Sequence, residues 1–248
     1  MRGIVARRSV LAVVVLSCSV VLAAEIAAIA NGSFESNGGV DSSTFTGWTV
    51  ANQTNGSGNW YVQTGTTAGG AAEICTGLPV PAPTAGSFAA MTNQSNPGSH
   101  VLYQNIAVPA FGATLSFDLF LRNNGGAFVT PATLDFTVNP NQQARVDIMS
   151  TGSAVTDVGA GVLKNVYATK VGDPLTSGYT KITMGLQQFA GQTVRLRFAE
   201  VDNLGCFQMG VDNVQLLGLD PIPTLSLPML ALLAAGLAAL ALWLLRRP

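Results

Sequence analysis

The chain has 248 residues, a formal net charge of −1 and only 10% charged residues. So apolar a composition excludes a disordered polyelectrolyte, and the absence of any lysine- or arginine-rich stripe excludes a nucleic-acid-binding surface. Abundant Gly, Ser, Thr and Asn suit short strands joined by many turns rather than long helices.

Arg2, Arg7 and Arg8 precede an apolar run from Val10 to Leu22, and Ala28-Ile29-Ala30 supplies a small-x-small cleavage pattern. This reads as a secretory signal over residues 1–30 with cleavage after Ala30. Arg7-Arg8 also allows a twin-arginine reading, and Val15-Leu16-Ser17-Cys18 a lipoprotein box, but neither has further support. Between Asn31 and Asp220 stand seven basic and twelve acidic residues, a net charge of −5 for the exported part.

Residues 31–219 form one domain in this reading. Apolar residues alternate with period two in four segments: Leu115, Phe117, Leu119 and Leu121; Leu134, Phe136 and Val138; Ala144, Val146 and Ile148; and Val194, Leu196 and Phe198, with Arg195 and Arg197 on the opposite face. Clusters such as Asn123-Asn124-Gly125-Gly126 and Asn139-Pro140-Asn141 separate them. The pattern predicts an all-β antiparallel sandwich.

The phrases "NGSFES", "GWTV" from Gly47, "AGSFAA" from Ala85, "SHVLYQNIAVP" from Ser99, "FAGQTVRLRF" from Phe189 and "GVDNVQL" from Gly210 occur in that order. Their order resembles the galactose-binding-like jelly rolls of bacterial carbohydrate-binding modules. The resemblance implies a structural calcium ion tying the first strand to the last, with Glu35 of "SFE" and Asp212 of "VDN" as oxygen ligands and Asn31 as a weaker third. Hard carboxylate oxygens are what calcium takes. An alternating strand at Phe34-Glu35 would bury Phe34 and leave Glu35 at the edge.

Cys18 leaves with the signal, so Cys75 and Cys206 remain as one pair in an oxidising compartment. A disulfide is the expectation and two buried free thiols the alternative. Catalysis has little to stand on: His100 is the single histidine, and no Gly-x-Ser-x-Gly elbow or zinc-ligand spacing occurs. Glu73, Glu200 and Asp118 are the carboxylates a glycosidase would need, and His100 reads as a loop or strand-edge residue. A non-catalytic binding role is expected instead. Trp48, Trp60 and Tyr61, in "GWTVANQTNGSGNWYVQ", are the candidate sugar-stacking residues, although Trp48 also fits the core and Trp60 and Tyr61 alternate to opposite faces.

From Leu225 to Leu245 only Ser226, Pro228 and Gly236 are not strongly apolar, and Arg246-Arg247 follow. About 21 residues at ~1.5 Å rise match the bilayer core, and the terminal arginines hold that end in the cytoplasm. Ile222-Pro223-Thr224-Leu225, the span and the arginine pair resemble the IPTL-CTERM sorting signal of Gram-negative bacteria, a relative of PEP-CTERM signals. Residues 220–248 are then the sorting segment, with a transmembrane helix at 225–245. The resemblance implies an exosortase-like transpeptidase as partner, an inner-membrane intermediate, and delivery to the cell surface or medium. The family's usual aromatic residue after the motif is replaced here by Leu227-Pro228-Met229. The expected role is binding of carbohydrate or exopolysaccharide matrix; the alternative is a structural coat or protein-adhesion protein that binds no glycan.

Overall fold

The computed structural model describes residues 29–70, 75, 77–218 and 227–246. Residues 1–28, Glu73, the Ile222–Leu225 motif and Arg247 lie outside the described residues. Ten strands form the domain: β1 Thr49–Asn52, β2 Asn59–Thr64, β3 Phe88–Asn93, β4 Gly98–Ala107, β5 Ala113–Asn123, β6 Gln143–Met149, β7 Val162–Ala168, β8 Thr180–Gly185, β9 Thr193–Asp202 and β10 Phe207–Gly218. They pair antiparallel in two five-stranded sheets, ordered β1-β4-β9-β6-β7 and β2-β3-β10-β5-β8. The fold is an all-β antiparallel sandwich, as the alternation in the sequence predicts, with the jelly-roll strand order that the resemblance implied.

Side chains at alternate positions fill the space between the sheets. Leu115, Phe117, Leu119 and Leu121 of β5, Val146 and Ile148 of β6, and Leu196 and Phe198 of β9 belong to one core cluster with Trp48 and Trp60. Phe117 meets Phe198 edge-on at 5.2 Å between ring centroids, an arrangement that aromatic quadrupoles favour. Phe34 is buried in this core, but from a turn rather than a strand: its φ is 57° and its N–H donates to Asn31 O. A single alternating apolar residue beside a polar one does not distinguish the two.

The segment Leu134–Val138 corrects a second expectation. It forms turns instead of a strand, with Leu134 buried and Val138 exposed. Asp135 closes the turn on itself by accepting from the N–H and hydroxyl of Thr137. Leu134 and Phe136 cover Val101, Ala199 and Val201 on the outer face of the first sheet, so their spacing served a lid and not a ladder.

The same face carries Arg195 and Arg197, turned away from the core as expected yet not left in water. Arg195 donates to the carbonyls of Ser153 and Thr151, and Arg197 to those of Val155 and Asp157. Arg197 also pairs with Asp147, and both side chains are fully buried. Asp147 takes a bidentate pair from Arg145 as well. Burial would raise the Asp147 carboxyl, but hydrogen bonds and charge from Arg145 and Arg197 outweigh it and hold the pKa below the usual carboxylate range.

Ile29 and Ala30, placed in the signal by the cleavage pattern, lie against the domain. Ala30 N–H donates to Gln104 Oε1 at 2.9 Å, Gln104 Nε2 donates to Ala30 O at 3.0 Å, and Ile29 packs on the core. At the other extreme, α1 (Leu227–Leu245) is an apolar helix long enough to cross a membrane, with none of its Pro228–Leu245 window buried against the domain.

Removing one partner of a buried ion pair leaves an uncompensated charge. Asp147→Asn, which strands two arginines, is expected to lower unfolding free energy by about 3–5 kcal/mol in urea denaturation. A loss under 1 kcal/mol would mean that the Val155 and Asp157 carbonyls hold Arg197 unaided.

Candidate functional site

The strands run between two ends of the sandwich. At one end β10 finishes at Gly218 opposite Ala113; at the other, Phe207 stands opposite Asn123, and Gly98 opposite Asp202. This second, distal end carries two clefts with the Cys75–Cys206 disulfide between them. The bridge exists as the cysteine count suggests, with 5.4 Å between Cα atoms and a sequence separation of 131.

The larger cleft, about 370 Å³, lies on the outer face of the second sheet. Val40, Ala68, Leu78 and Pro79 form apolar walls, Asp41, Thr66 and Thr67 stand on the rim, and Asn93 and Gln208 make the floor. Period two puts Gln208 outside, because Phe207 and Met209 point into the core. Asn93 Oδ1 accepts from Cys75 N–H at 2.9 Å and from Gln208 Nε2 at 3.4 Å, so the floor is tied to the disulfide. Arg122 fixes the wall by donating to the carbonyls of Leu78 and Pro79. Asp41, at a positive φ of 65°, accepts from Gly70 N–H at 2.8 Å. Exposed apolar groups beside a carboxylate, two amides and two hydroxyls suit a ligand with both C–H faces and hydroxyls.

The smaller cleft, about 240 Å³, is lined by Ser95–Pro97 and Asp202–Cys206. Beneath it sits a polar cluster that the sequence reading missed. His100 and Glu200 are direct partners across β4 and β9, in step with core-facing Leu102 and Phe198, so both turn inward. His100 is therefore a buried interior residue and not a loop or edge residue. Gln94 Nε2 donates to Phe207 O and reaches Glu200 Oε1 at 3.4 Å, while Gly98 N–H donates to Asp202 Oδ1 at 2.9 Å. Among the described residues, Gln94 Oε1 and Glu200 Oε2 are buried without a hydrogen-bond partner. Burial raises Asp202 to about 7 and lowers His100 to about 4. Burial, with the Asp202 charge second, raises Glu200 well above the usual range. Had the inward phase been followed past Leu102 and Phe198, these residues were legible.

The expected stacking residues do not present open rings. Trp60 is 0% exposed, and Trp48 is buried between Phe34 and Phe198 with Nε1 donating to Asn31 O. Tyr61 is half-buried, and a Cβ added at Gly70 would fall 2.6 Å from its ring, so the Gly69-Gly70 turn lies flat on it. The platform is corrected at Trp48 and Trp60, which build the core; Tyr61 keeps part of its surface in solvent.

Glu35 and Asp212 grip one turn from two sides. Glu35 Oε1 accepts from the N–H groups of Ser87 and Phe88, and Asp212 Oδ2 from those of Thr84 and Ala85. Gly86 between them has no room for a side chain, since a Cβ would lie 2.5 Å from Glu35 Oε1. Asp212 also faces Asp118 directly across β10 and β5, and Thr84 Oγ1 lies 2.7 Å from Asp118 Oδ2 and 3.2 Å from Asp212 Oδ2. Burial raises the Asp212 carboxyl. Two hard carboxylates drawn to one turn beside a like-charged neighbour fit a cation's donor chemistry. Asn31 does not: its side chain is occupied by Ser36 N–H, Ser36 O and Thr46 O. Among the described residues no three His, Cys, Asp or Glu side chains are grouped at metal-ligating spacing.

No protein-family model matches the chain, and no curated protein matches it. Among solved structures it is similar to TmCBM61 in complex with beta-1,4-galactotriose, at TM-score 0.46 and 10% identity, over 78% of this chain and 99% of that one. It is also similar to the K3 cleaved adhesin domain of Lys-gingipain from Porphyromonas gingivalis, at TM-score 0.43 and 14% identity over 70% and 91% of the two chains. A family 11 carbohydrate-binding module from Clostridium thermocellum, in complex with a beta-1,3-1,4-mixed-linked tetrasaccharide, gives TM-score 0.34 and 12% identity over 72% and 92%. Similarity at this level carries no residue-to-residue correspondence.

The distal cluster sets a pH dependence. Asp202 and Glu200, raised on folding, contribute stability that is full at low pH and is lost as pH rises through their folded pKa values; Asp212 acts in the same sense. His100, lowered on folding, opposes them, contributing stability above about 6.5 that is lost as pH falls towards about 4. Between pH ~4.5 and ~6.5, Asp202→Asn is therefore expected to make the decline of stability with rising pH shallower by about 1.4 kcal/mol per pH unit. Urea midpoints measured across that range test this, and parallel profiles for variant and parent would refute it.

Proposed function

We propose that this is an exported, membrane-anchored, non-catalytic protein that binds carbohydrate of the surface matrix in the Asp41/Asn93/Gln208 cleft. The cleft's composition carries this reading: exposed apolar walls for sugar C–H faces, with the Asp41 carboxylate and the Thr66 and Thr67 hydroxyls at the rim for ring hydroxyls. A net charge of −5 over the exported part favours a neutral polysaccharide over an acidic one. Ile222-Pro223-Thr224-Leu225, with α1 and Arg246-Arg247, is in this proposal the substrate of an exosortase-like sorting enzyme, which releases or re-anchors the domain at the cell surface. The burial of Trp48 and Trp60 favours the second reading, a coat or protein-adhesion domain without glycan binding.

Titration calorimetry of the full chain in detergent against the host's own exopolysaccharide distinguishes the two. Saturable heat is expected, weakened at least tenfold by Asp41→Asn or Leu78→Ala with unchanged thermal midpoints; Asn keeps the positive φ at position 41 accessible. No heat from a folded chain selects the coat reading.

The proposal includes a structural calcium held by Glu35 and Asp212, offsetting the charge of Asp212 and Asp118 and locking the Thr84–Phe88 turn. Chelation by EGTA is expected to lower the thermal midpoint by several degrees, reversibly with calcium, and Glu35→Gln to abolish that shift. A midpoint indifferent to EGTA and calcium removes the ion from the structure.

A further inference from the structure

The end of the sandwich opposite the clefts has a different chemistry. The turn after β4 exposes Phe111 (58%), and the last residues of strand β10 expose Leu217 (60%). They share a corner: Leu217 pairs with Thr114 and Gly218 with Ala113, two residues after Phe111. The neighbouring turn packs alongside, with Gly191 N–H donating to the carbonyls of Val108 and Pro109. No Asp, Glu, Lys or Arg occurs in residues 106–117, 182–194 or 213–218. A corner whose three segments carry no charge, tipped by an aromatic and a leucine, is what the headgroup boundary of a bilayer accepts, because those segments bring no ion out of water.

Covalent geometry says which surface it meets. Eight residues, 219–226, separate Gly218 from Leu227, where α1 begins. Fully extended they reach roughly 30 Å, so an inserted α1 keeps the Gly218 corner near the bilayer. The effective concentration imposed by so short a tether lets a weak apolar contact persist.

We infer that this corner docks on the lipid interface through Phe111 and Leu217 while α1 spans the membrane, holding the distal clefts away from the bilayer. The inference rests on the reading of α1 as a membrane span. The occupant is the membrane the chain is tethered to, and the contact is hydrophobic.

The test uses the full chain in liposomes containing phospholipid brominated near the headgroup end of its acyl chains. Native Trp243 in α1 reports anchoring, whereas Trp48 and Trp60 are enclosed in the domain. Reporters Phe111→Trp and Leu217→Trp are compared with Val171→Trp, which sits in the exposed turn after β7 at the distal end. The added emission at 111 and 217 is expected to fall at least twofold in brominated lipid, equally at low and high salt, and that at 171 to stay unchanged. Quenched Trp243 with unquenched 111 and 217 overturns docking and leaves the anchor standing. Unquenched Trp243 overturns the anchor and the docking together. Shielding of 111 and 217 from aqueous quencher without bromine quenching assigns the corner to a second copy or to the chain's own tether, and overturns the lipid assignment.

Discussion

The Cys75–Cys206 bond is the constraint on which the distal end depends. Cys206 lines the smaller cleft, and the backbone N–H of Cys75 holds Asn93 in the floor of the larger one. A loop of about 130 residues is closed by one covalent link, which a chain-entropy account values at roughly 4–5 kcal/mol before strain. It adds a covalent tie to loops already held by Arg122 at Leu78 and Pro79 and by Gln142 at Asn203, Leu204 and Gly205. Small loops without a core are positioned by tethers, and here one covalent tether joins the two openings.

The domain also uses its ionisable groups mostly to hold its own backbone. Glu35 and Asp212 take N–H groups of the Thr84–Phe88 turn, Arg195 and Arg197 take carbonyls of the Ser150–Gly161 loop, and Arg122 takes those of Leu78 and Pro79. Each loop thereby has its unpaired backbone groups satisfied from a rigid strand beneath it. With few charges in the chain, most of the buried ones have such a structural task. Among the described residues, buried polar atoms left without a partner include Gln94 Oε1 and Glu200 Oε2 in the distal cluster and Arg197 Nε on the outer face.

Much of this was legible in the sequence where side chains alternate. The period of two placed β5, β6 and β9 correctly, and it set Arg195 and Arg197 on the outer face. It failed at Leu134–Val138 because a covering loop also buries alternate residues when it lies over an apolar floor. It set Trp60 and Tyr61 on opposite faces, as the structure has them, but did not say that the inward one is Trp60, which is why a stacking role for that ring was open in the sequence. The larger cleft was not legible: its walls come from Val40-Asp41, Thr66–Ala68 and Gly77–Pro79, segments without periodicity whose positions follow from the disulfide and from Arg122. The sorting letters, by contrast, are read from the sequence alone.

β10 has a mechanical meaning. It begins one residue after Cys206, beside both clefts, and ends at Gly218, from which the chain continues towards α1. Were the proposed polymer held in the cleft and α1 in a membrane, tension between them would run along this strand. It is a central strand, flanked by β3 and β5, and its ladder bonds lie perpendicular to the line of pull. A tug therefore loads the bonds to β5 together in shear, rather than opening them one at a time from an edge. The disulfide shares the load with the segment at Cys75. In the proposed anchored form, the route from cleft to α1 thus follows a central strand bonded on both sides rather than a sheet edge.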